Sequence, residues 1–279
     1  MDPLIHVQSA DPAERDPSKI ETDSQALVNG VGPPRGVLCA SQPIHLRPPA
    51  PIDLLAIKQY LTYNLKLFAR GNIVPTNSVI DLSHHNGSRL SFDKAKADGI
   101  VGVIQKATQG ENYIDATFKK NRTAVLNAGL LFGAYHFGTG SNGVSQAQHF
   151  LDTVQPDENT VVALDFEDNP TGSSMTLEEA RAFVTHIHDQ LGRWPGFYSG
   201  HTIKRALGTT VDPILQNCWF WLAQYGPTPV VPPCWSTWTM WQYTDGGVGP
   251  MPHSVNGIGS CDRENYYGAD AQLKSWWGK

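Results

Sequence analysis

The sequence predicts an α/β barrel in which about five β/α units are followed by mainly β segments. Three observations predict it. Short apolar runs alternate with stretches of helical length from Ser78 to about Leu207, the pattern of βαβ units and a parallel sheet. After Leu207 the alternation fails, and residues 218–225 and 237–243 read as strands joined by Pro-rich loops. The stretch 78–279 holds about 200 residues, near the lower end for one closed barrel.

Taken in order, residues 79–83 are a short apolar run and so a buried strand. Residues 92–98 suit a helix ended by Gly99, and 101–107 form the next strand. Residues 115–128 read as a helix with Gly129 at its C-terminal end, where a left-handed cap is expected. A strand over 130–137, a helix over 145–154 and a strand over 160–167 follow. The helix over 176–191 opens with Thr176 and Glu179 at capping-box spacing. Residues 195–199 are again a strand.

The first 77 residues read differently. Residues 1–51 hold 9 of the 20 prolines and carry no sustained period of 2 or 3.6, as in an extended, loosely ordered arm. In residues 52–77, Leu54, Ile57, Leu61, Leu65 and Phe68 recur at spacings of three and four, an amphipathic helix followed by a linker. Its apolar face packs on the following domain or docks on a partner or membrane surface.

Composition removes several classes of function. Hydrophobic residues make up 40% and charged residues 17%, enough to bury a core. Lys plus Arg number 21 against 26 Asp plus Glu, so no basic field favours nucleic acid. No apolar run reaches transmembrane length, and the N-terminus has neither the basic nor the apolar region of a Sec signal peptide. The four cysteines show no C-x-x-C spacing and read as buried or free thiols, a Cys218–Cys234 bridge staying open. His84, His85 and His136 fall near strand ends, but no ligand spacing supports a metal, and neither metal nor cofactor is expected.

The chemistry centres on Val161-Val162-Ala163-Leu164-Asp165-Phe166-Glu167-Asp168. Side chains alternate along a strand, so Asp165 and Glu167 point to one side, with α-carbons roughly 6.5 Å apart. The C-terminal ends of the strands form the site in a parallel barrel. Two carboxylates there cannot easily both ionise, which leaves one acid and one charged partner, the pair that glycoside hydrolysis uses. A D-x-E by itself is common at solvated strand ends. Here Asp81 at the end of the first strand and Asp262 near the C-terminus add two more acids, and buried carboxylates are costly unless paired or used. Tyr135, Tyr198, Tyr225, Trp241 and Tyr243 lie at or near strand ends, where an aromatic face can stack on a sugar.

Seven separated blocks occur in order: Ile80-Asp81-Leu82-Ser83-His84-His85-Asn86-Gly87, Lys106-Ala107-Thr108-Gln109-Gly110, Gly133-Ala134-Tyr135-His136-Phe137, Leu164-Asp165-Phe166-Glu167, Trp221-Leu222-Ala223-Gln224-Tyr225, Trp241-Gln242-Tyr243, and Asp262 through Gly268. Together they resemble the glycoside hydrolase family 25 muramidases, the Chalaropsis-type lysozymes. The resemblance runs from about Ser78 to the end and implies a modified TIM-like β/α barrel. It implies a peptidoglycan hydrolase, bacteriolytic and antimicrobial, that cleaves the β-1,4 bond between N-acetylmuramic acid and N-acetylglucosamine with retention. Glu167 resembles the general acid, and Asp165 the carboxylate that steadies the substrate's own 2-acetamido group as it attacks. Asp81 and Asp262 resemble the family's other active-site acids. Tyr135, His136, Tyr198, Gln224, Tyr225, Trp241 and Gln242 are the substrate-binding candidates. The last block departs from the usual D-x-N-x-F-x-G, with Glu264 for Asn and Tyr266 for Phe, and Gln109 stands where the family often has an acid.

The alternative is an inactive glycan-binding module or a cargo domain of a delivery system. The expected partner is the peptidoglycan glycan strand. The expected course is synthesis in the cytoplasm without a Sec signal, then action on the wall in the periplasm or outside the cell after lysis or non-Sec export. Residues 1–70 would then meet a secretion machine, an immunity protein or a phage partner.

Overall fold

A computed structural model of the chain describes residues 75–277. The arm expected over 1–51 and the helix expected over 52–70 lie outside the described residues. The first strand, β1, is Thr76–Leu82, followed by helix α1 (Phe92–Ala97). Strand β2 (Gly102–Gln109) turns into the two-residue β3 (Tyr113–Ile114) before α2 (Phe118–Asn127). Then come β4 (Leu131–Phe137), α3 (Gly143–Val154), β5 (Val161–Asp165), α4 (Leu177–Leu191), β6 (Gly196–Ser199) and α5 (His201–Leu207). No α-helix separates β7 (Trp219–Ala223) from β8 (Met240–Thr244). A small ribbon of β9 (Ser254–Val255) and β10 (Gly259–Ser260) precedes β11 (Asp262–Tyr266) and the last helix, α6 (Asp270–Trp276).

Eight strands close into a barrel in the order β1, β11, β8, β7, β6, β5, β4, β2, with β2 pairing back to β1. All neighbours are parallel except β11, which runs antiparallel to both β1 and β8. The five β/α units and the helix-poor last third are those the sequence predicts. The closing strand is antiparallel to both neighbours, whereas β7 and β8 stay parallel although their connection also lacks an α-helix.

Local chemistry accounts for the boundaries. Helix α4 begins where expected, because the Thr176 hydroxyl accepts from the Glu179 amide and the Glu179 carboxylate accepts from the Thr176 amide. Gly129 takes φ +68°, as a left-handed cap requires. Helix α2 starts three residues later than the sequence predicts. Asp115 turns its carboxylate onto the Thr117 amide and hydroxyl, an Asx turn that holds the chain out of the helix. Strand β5 ends at Asp165 rather than Glu167, although the Phe166 amide still donates to the Tyr198 carbonyl. Cys218, Cys234 and Cys261 are buried free thiols, so the Cys218–Cys234 bridge is not formed. Among the described residues no helix is long and apolar enough to cross a membrane.

Two apolar layers hold the barrel. The outer one, with Ile80, Val103, Phe132, Leu164, Phe183, Phe197 and Phe220, lies under the helices. The inner one fills the lower lumen with Val79, Ile104, Val161, Ala163, Tyr198, Trp221, Met240 and Tyr266. Helix α6 plugs the floor: Leu273 and Trp277 join the inner cluster, and the Trp277 indole N–H donates to the Phe132 carbonyl at 2.9 Å. The plug explains Gly102, since a Cβ there would meet the Trp277 ring at 2.7 Å. With the floor filled, the lumen opens only towards the C-terminal ends of the parallel strands.

Replacing Thr176 by Ala should remove the cap of α4, cost about 1 kcal/mol and lower Tm by about 2–4 °C. Thermal unfolding followed by circular dichroism checks it, and an unchanged Tm would mean that the box contributes nothing.

Candidate active site

Above the apolar floor the inward side chains turn polar. In β1 the inward residues are Val79 and then Asp81, in β2 Ile104 and then Lys106, in β4 Gly133 and then Tyr135. In β5 they are Val161, Ala163 and then Asp165, and in β8 Met240 and then Gln242. The antiparallel β11 runs the other way, so Asp262 lies opposite Asp81, and Glu264 lies between Val79 and Gln242. Four strands and one strand extension therefore deliver Asp81, Lys106, Asp165, Glu167 and Asp262 to one mouth.

One hydrogen-bonded chain ties the wall together. The Gln242 amide N–H donates to Asp81 at 2.7 Å, while its carbonyl accepts from the hydroxyls of Tyr198 and Tyr225, each at 2.8 Å. Tyr135 stands edge-on to Trp221 below. Lys106 donates to Gln109 Oε1 at 2.7 Å and lies 4.8 Å from the centroid of the Phe137 ring. Gln109 thus orients this ammonium.

Burial governs the protons. Asp165 is 6% exposed, and its Oδ1 meets no donor among the described residues. Burial and then the Glu167 charge push its carboxyl well above the ordinary range, against the pull of Lys106. Glu167, half-buried, is raised to about 7 by burial and then by the charges of Asp81 and Asp168, again opposed by Lys106. Burial and then Asp81 also raise Asp262. Lys106 is itself lowered by burial, with Asp165, Asp115 and Glu167 holding its proton on. The acids act as one coupled set, in which a proton held by one leaves a neighbour charged.

Of the eleven residues singled out from the sequence, eight meet at this mouth: Asp81, Tyr135, Asp165, Glu167, Tyr198, Tyr225, Gln242 and Asp262. Three do not. His136 is fully buried on the outer side of β4, bound to Thr108 Oγ1 at 2.7 Å and Gln146 Oε1 at 3.1 Å and stacked on Phe183. Burial lowers it to about 3, so it is a neutral structural imidazole. Trp241 packs outward against Trp238 and Tyr243 and donates to the Gln224 carbonyl. The Gln224 side chain is spent on Lys204, the Val230 amide and the Thr228 carbonyl, pinning the loop after β7. The physical reason is shared. His136, Gln224 and Trp241 are each next in sequence to a residue that faces the lumen, and successive side chains along an extended chain point opposite ways.

Two site residues escaped the sequence reading. Lys106 follows Ile104 by two, so the parity of β2 carries it inward. Asp262-Arg263-Glu264 is a second D-x-E, and the alternation applied to Asp165 and Glu167 places Glu264 beside Asp262 in the same way. At the rim, His84 is held by the buried Asp115 carboxylate at 2.8 Å, with Tyr113 nearby. Among the described residues, no group of three or more His, Cys, Asp or Glu is placed to hold a metal ion.

A TIM-like barrel with a buried pair of carboxyl groups, Asp165 and Glu167, at the C-terminal ends of its strands has the parts that glycoside hydrolysis needs. The sequence profile of the glycosyl hydrolases family 25 matches residues 80–250. Lysozyme M1 of Streptomyces globisporus is 32% identical over 216 residues, which cover 70% of this chain and 69% of that protein. Two solved structures share the fold: the lysozyme of Streptomyces coelicolor and the family GH25 lysozyme of Aspergillus fumigatus. The first has a TM-score of 0.64 and 30% identity over 75% of this chain and 98% of its own. The second has a TM-score of 0.62 and 31% identity over 71% and 97%. The chain belongs to glycoside hydrolase family 25.

Replacing Lys106 by Met should remove the cation that lowers both carboxyls of the pair. The Glu167 carboxyl, followed by carbon-13 NMR, should then titrate about one pH unit higher than in the wild type. An unmoved titration would show that Lys106 does not set the protons of the site.

Proposed function

We propose that the protein is a lysozyme-type muramidase that hydrolyses the β-1,4 bond between N-acetylmuramic acid and N-acetylglucosamine in peptidoglycan. Family membership and its lysozyme relatives support the class of reaction, and the coupled pair of Asp165 and Glu167 supports its mechanism. The observation that carries it is Oδ1 of Asp165, a buried acceptor at the mouth that meets no donor among the described residues. A 2-acetamido N–H of a bound sugar supplies that donor. Once Asp165 accepts it, its charged form is favoured, and the proton of the pair rests on Glu167.

The reaction then follows. Glu167, whose proton is held up to about pH 7, protonates the leaving oxygen. The acetamido carbonyl oxygen attacks the anomeric carbon from the other face, while Asp165 accepts the amide proton's hydrogen bond and offsets the positive charge that grows on the amide. Water, deprotonated by Glu167, opens the cyclic intermediate, and two inversions give retention. The charge of Asp81 keeps the lumen negative, which favours positive charge at the anomeric centre, and Tyr135, Tyr198 and Tyr225 line the path of the glycan. The residues before the barrel serve delivery in this reading, on the strength of the Pro-rich composition of 1–51 and the apolar period of 52–70.

Purified peptidoglycan treated with the wild type should release fragments with reducing-end N-acetylmuramic acid, identified by mass spectrometry. Glu167→Gln should lower kcat by about 10²–10⁴-fold while still binding the polymer, and wild-type kcat/KM should fall as pH rises through about 7. Release of no fragments by either protein, with binding by both, would overturn the enzymatic reading. Deleting residues 1–71 should leave hydrolysis intact and abolish export or host lysis. Unchanged export or lysis would sink the delivery role.

A further inference from the structure

Glu264 is fully buried in the lumen, and neither of its carboxylate oxygens meets a donor among the described residues. Its neighbours explain why. Gln242, its partner on β8, turns one amide N–H to Asp81 and its carbonyl to two tyrosines and makes no hydrogen bond to Glu264. Arg263, next in sequence, points out of the barrel to Asn77 and the Ser254 carbonyl. The titratable groups whose charges act on Glu264 are Asp81 from β1, and Asp262 and Cys261 from its own segment.

A bare carboxylate in such a place is costly, and two carboxylates in contact cannot both ionise. As anions, Asp81 and Glu264 offer each other only acceptors, which leaves both Glu264 oxygens orphaned. A single proton turns the same contact into an O–H···O⁻ hydrogen bond of the strong, charge-assisted kind. Burial, followed by the charge of Asp81, pushes the Glu264 carboxyl well above the ordinary range. Asp81 is raised by burial, and its hydrogen bonds with Glu264 and Gln242 oppose that rise. Asp81 accepts a hydrogen bond from Gln242, which favours its charged form, whereas Glu264 has no such donor among the described residues, so the proton rests on Glu264 and the charge on Asp81.

We propose that Glu264 is a positioning residue that donates a hydrogen bond to Asp81 and so keeps Asp81 as the anion facing Glu167 across the mouth. After burial, the charge of Asp81 is the leading cause that keeps the proton on Glu167. Glu264 thus acts on the reaction through Asp81 and sets the pH range over which the acid stays armed. The catalytic half of this inference rests on the reading of Glu167 as the general acid; the protonation half does not.

Two measurements on the full chain separate the halves. The first is Tm against pH for the wild type and Glu264→Gln. A buried acid whose folded pKa exceeds its unfolded value of about 4.3 costs no stability below that value. It costs progressively more as pH rises towards the folded pKa. The glutamine variant, which cannot ionise, should match the wild type near pH 4 and exceed it by a margin that widens towards neutrality. The infrared difference spectrum of wild type minus variant should show one protonated-carboxyl band, that of Glu264. A Tm difference independent of pH, or the absence of that band, overturns the proposal.

The second is the pH profile of kcat/KM for Glu264→Gln and Glu264→Leu. Glutamine keeps a donor for Asp81, so the alkaline limb should stay in place. Leucine removes the donor, so Asp81 neutralises more readily and Glu167 loses its proton at lower pH. The leucine variant should lose about tenfold in kcat/KM, the worth of one charged hydrogen bond, with its alkaline limb shifted down. Coincident limbs for the two variants overturn the positioning role. Should the wild type hydrolyse no peptidoglycan, the reading of Glu167 fails with it, while the Tm and infrared results still decide where the proton sits.

Discussion

Five carboxyl groups, those of Asp81, Asp165, Glu167, Asp262 and Glu264, crowd the mouth of a lumen whose floor is sealed, with Lys106 as the cation set against them. That imbalance of charge is the constraint on which the rest of the site depends. In water, five such acids would be ionised at neutral pH. In the barrel, burial raises four of them together with Glu167, and each charge that forms raises the next. Protons are therefore retained on specific oxygens, and an acid that still holds its proton near neutrality is what protonation of a glycosidic oxygen needs.

The closing strand makes both the barrel and this crowding. Without β11 the barrel would expose the edges of β1 and β8, whose unpaired backbone groups invite further pairing. By pairing antiparallel to both, β11 seals the sheet and sets Asp262 and Glu264 directly beside Asp81 and Gln242. Stability and chemistry are coupled here: the ladder that satisfies the backbone also forces like charges together. Part of that cost is offset by Gln242, which bonds Asp81 and two tyrosines and so links β1, β6, β8 and the loop after β7. The aromatic floor of Trp221, Tyr266 and Trp277 gives these polar groups a rigid base, since packed rings leave little freedom for the side chains above them.

Much of the fold was legible in the sequence because its signals are local. Apolar period, the Thr176 and Glu179 box and the glycine caps act over a few residues, and the first four β/α units and the fifth strand follow from them. The short helices α5 and α6 were not legible. Each has seven residues and is held by packing rather than by its own period. The late start of α2 turned on a single side chain, Asp115, bonding its own backbone.

For the site, the sequence by itself determined the chemistry: acids at the ends of strands, the D-x-E that puts Asp165 and Glu167 on one side, and the ordered blocks of family 25. Only the tertiary structure decided which residue of each adjacent pair faces the lumen. Tyr135, Tyr225 and Gln242 face in, whereas His136, Gln224 and Trp241 face out and bind the outer layer. Alternation fixes the difference between neighbours but not the sign, and the sign is set when the sheet closes on itself. The same closure turned Lys106 and Glu264 inward and made an ordinary surface-type lysine and glutamate into parts of one proton-sharing cluster.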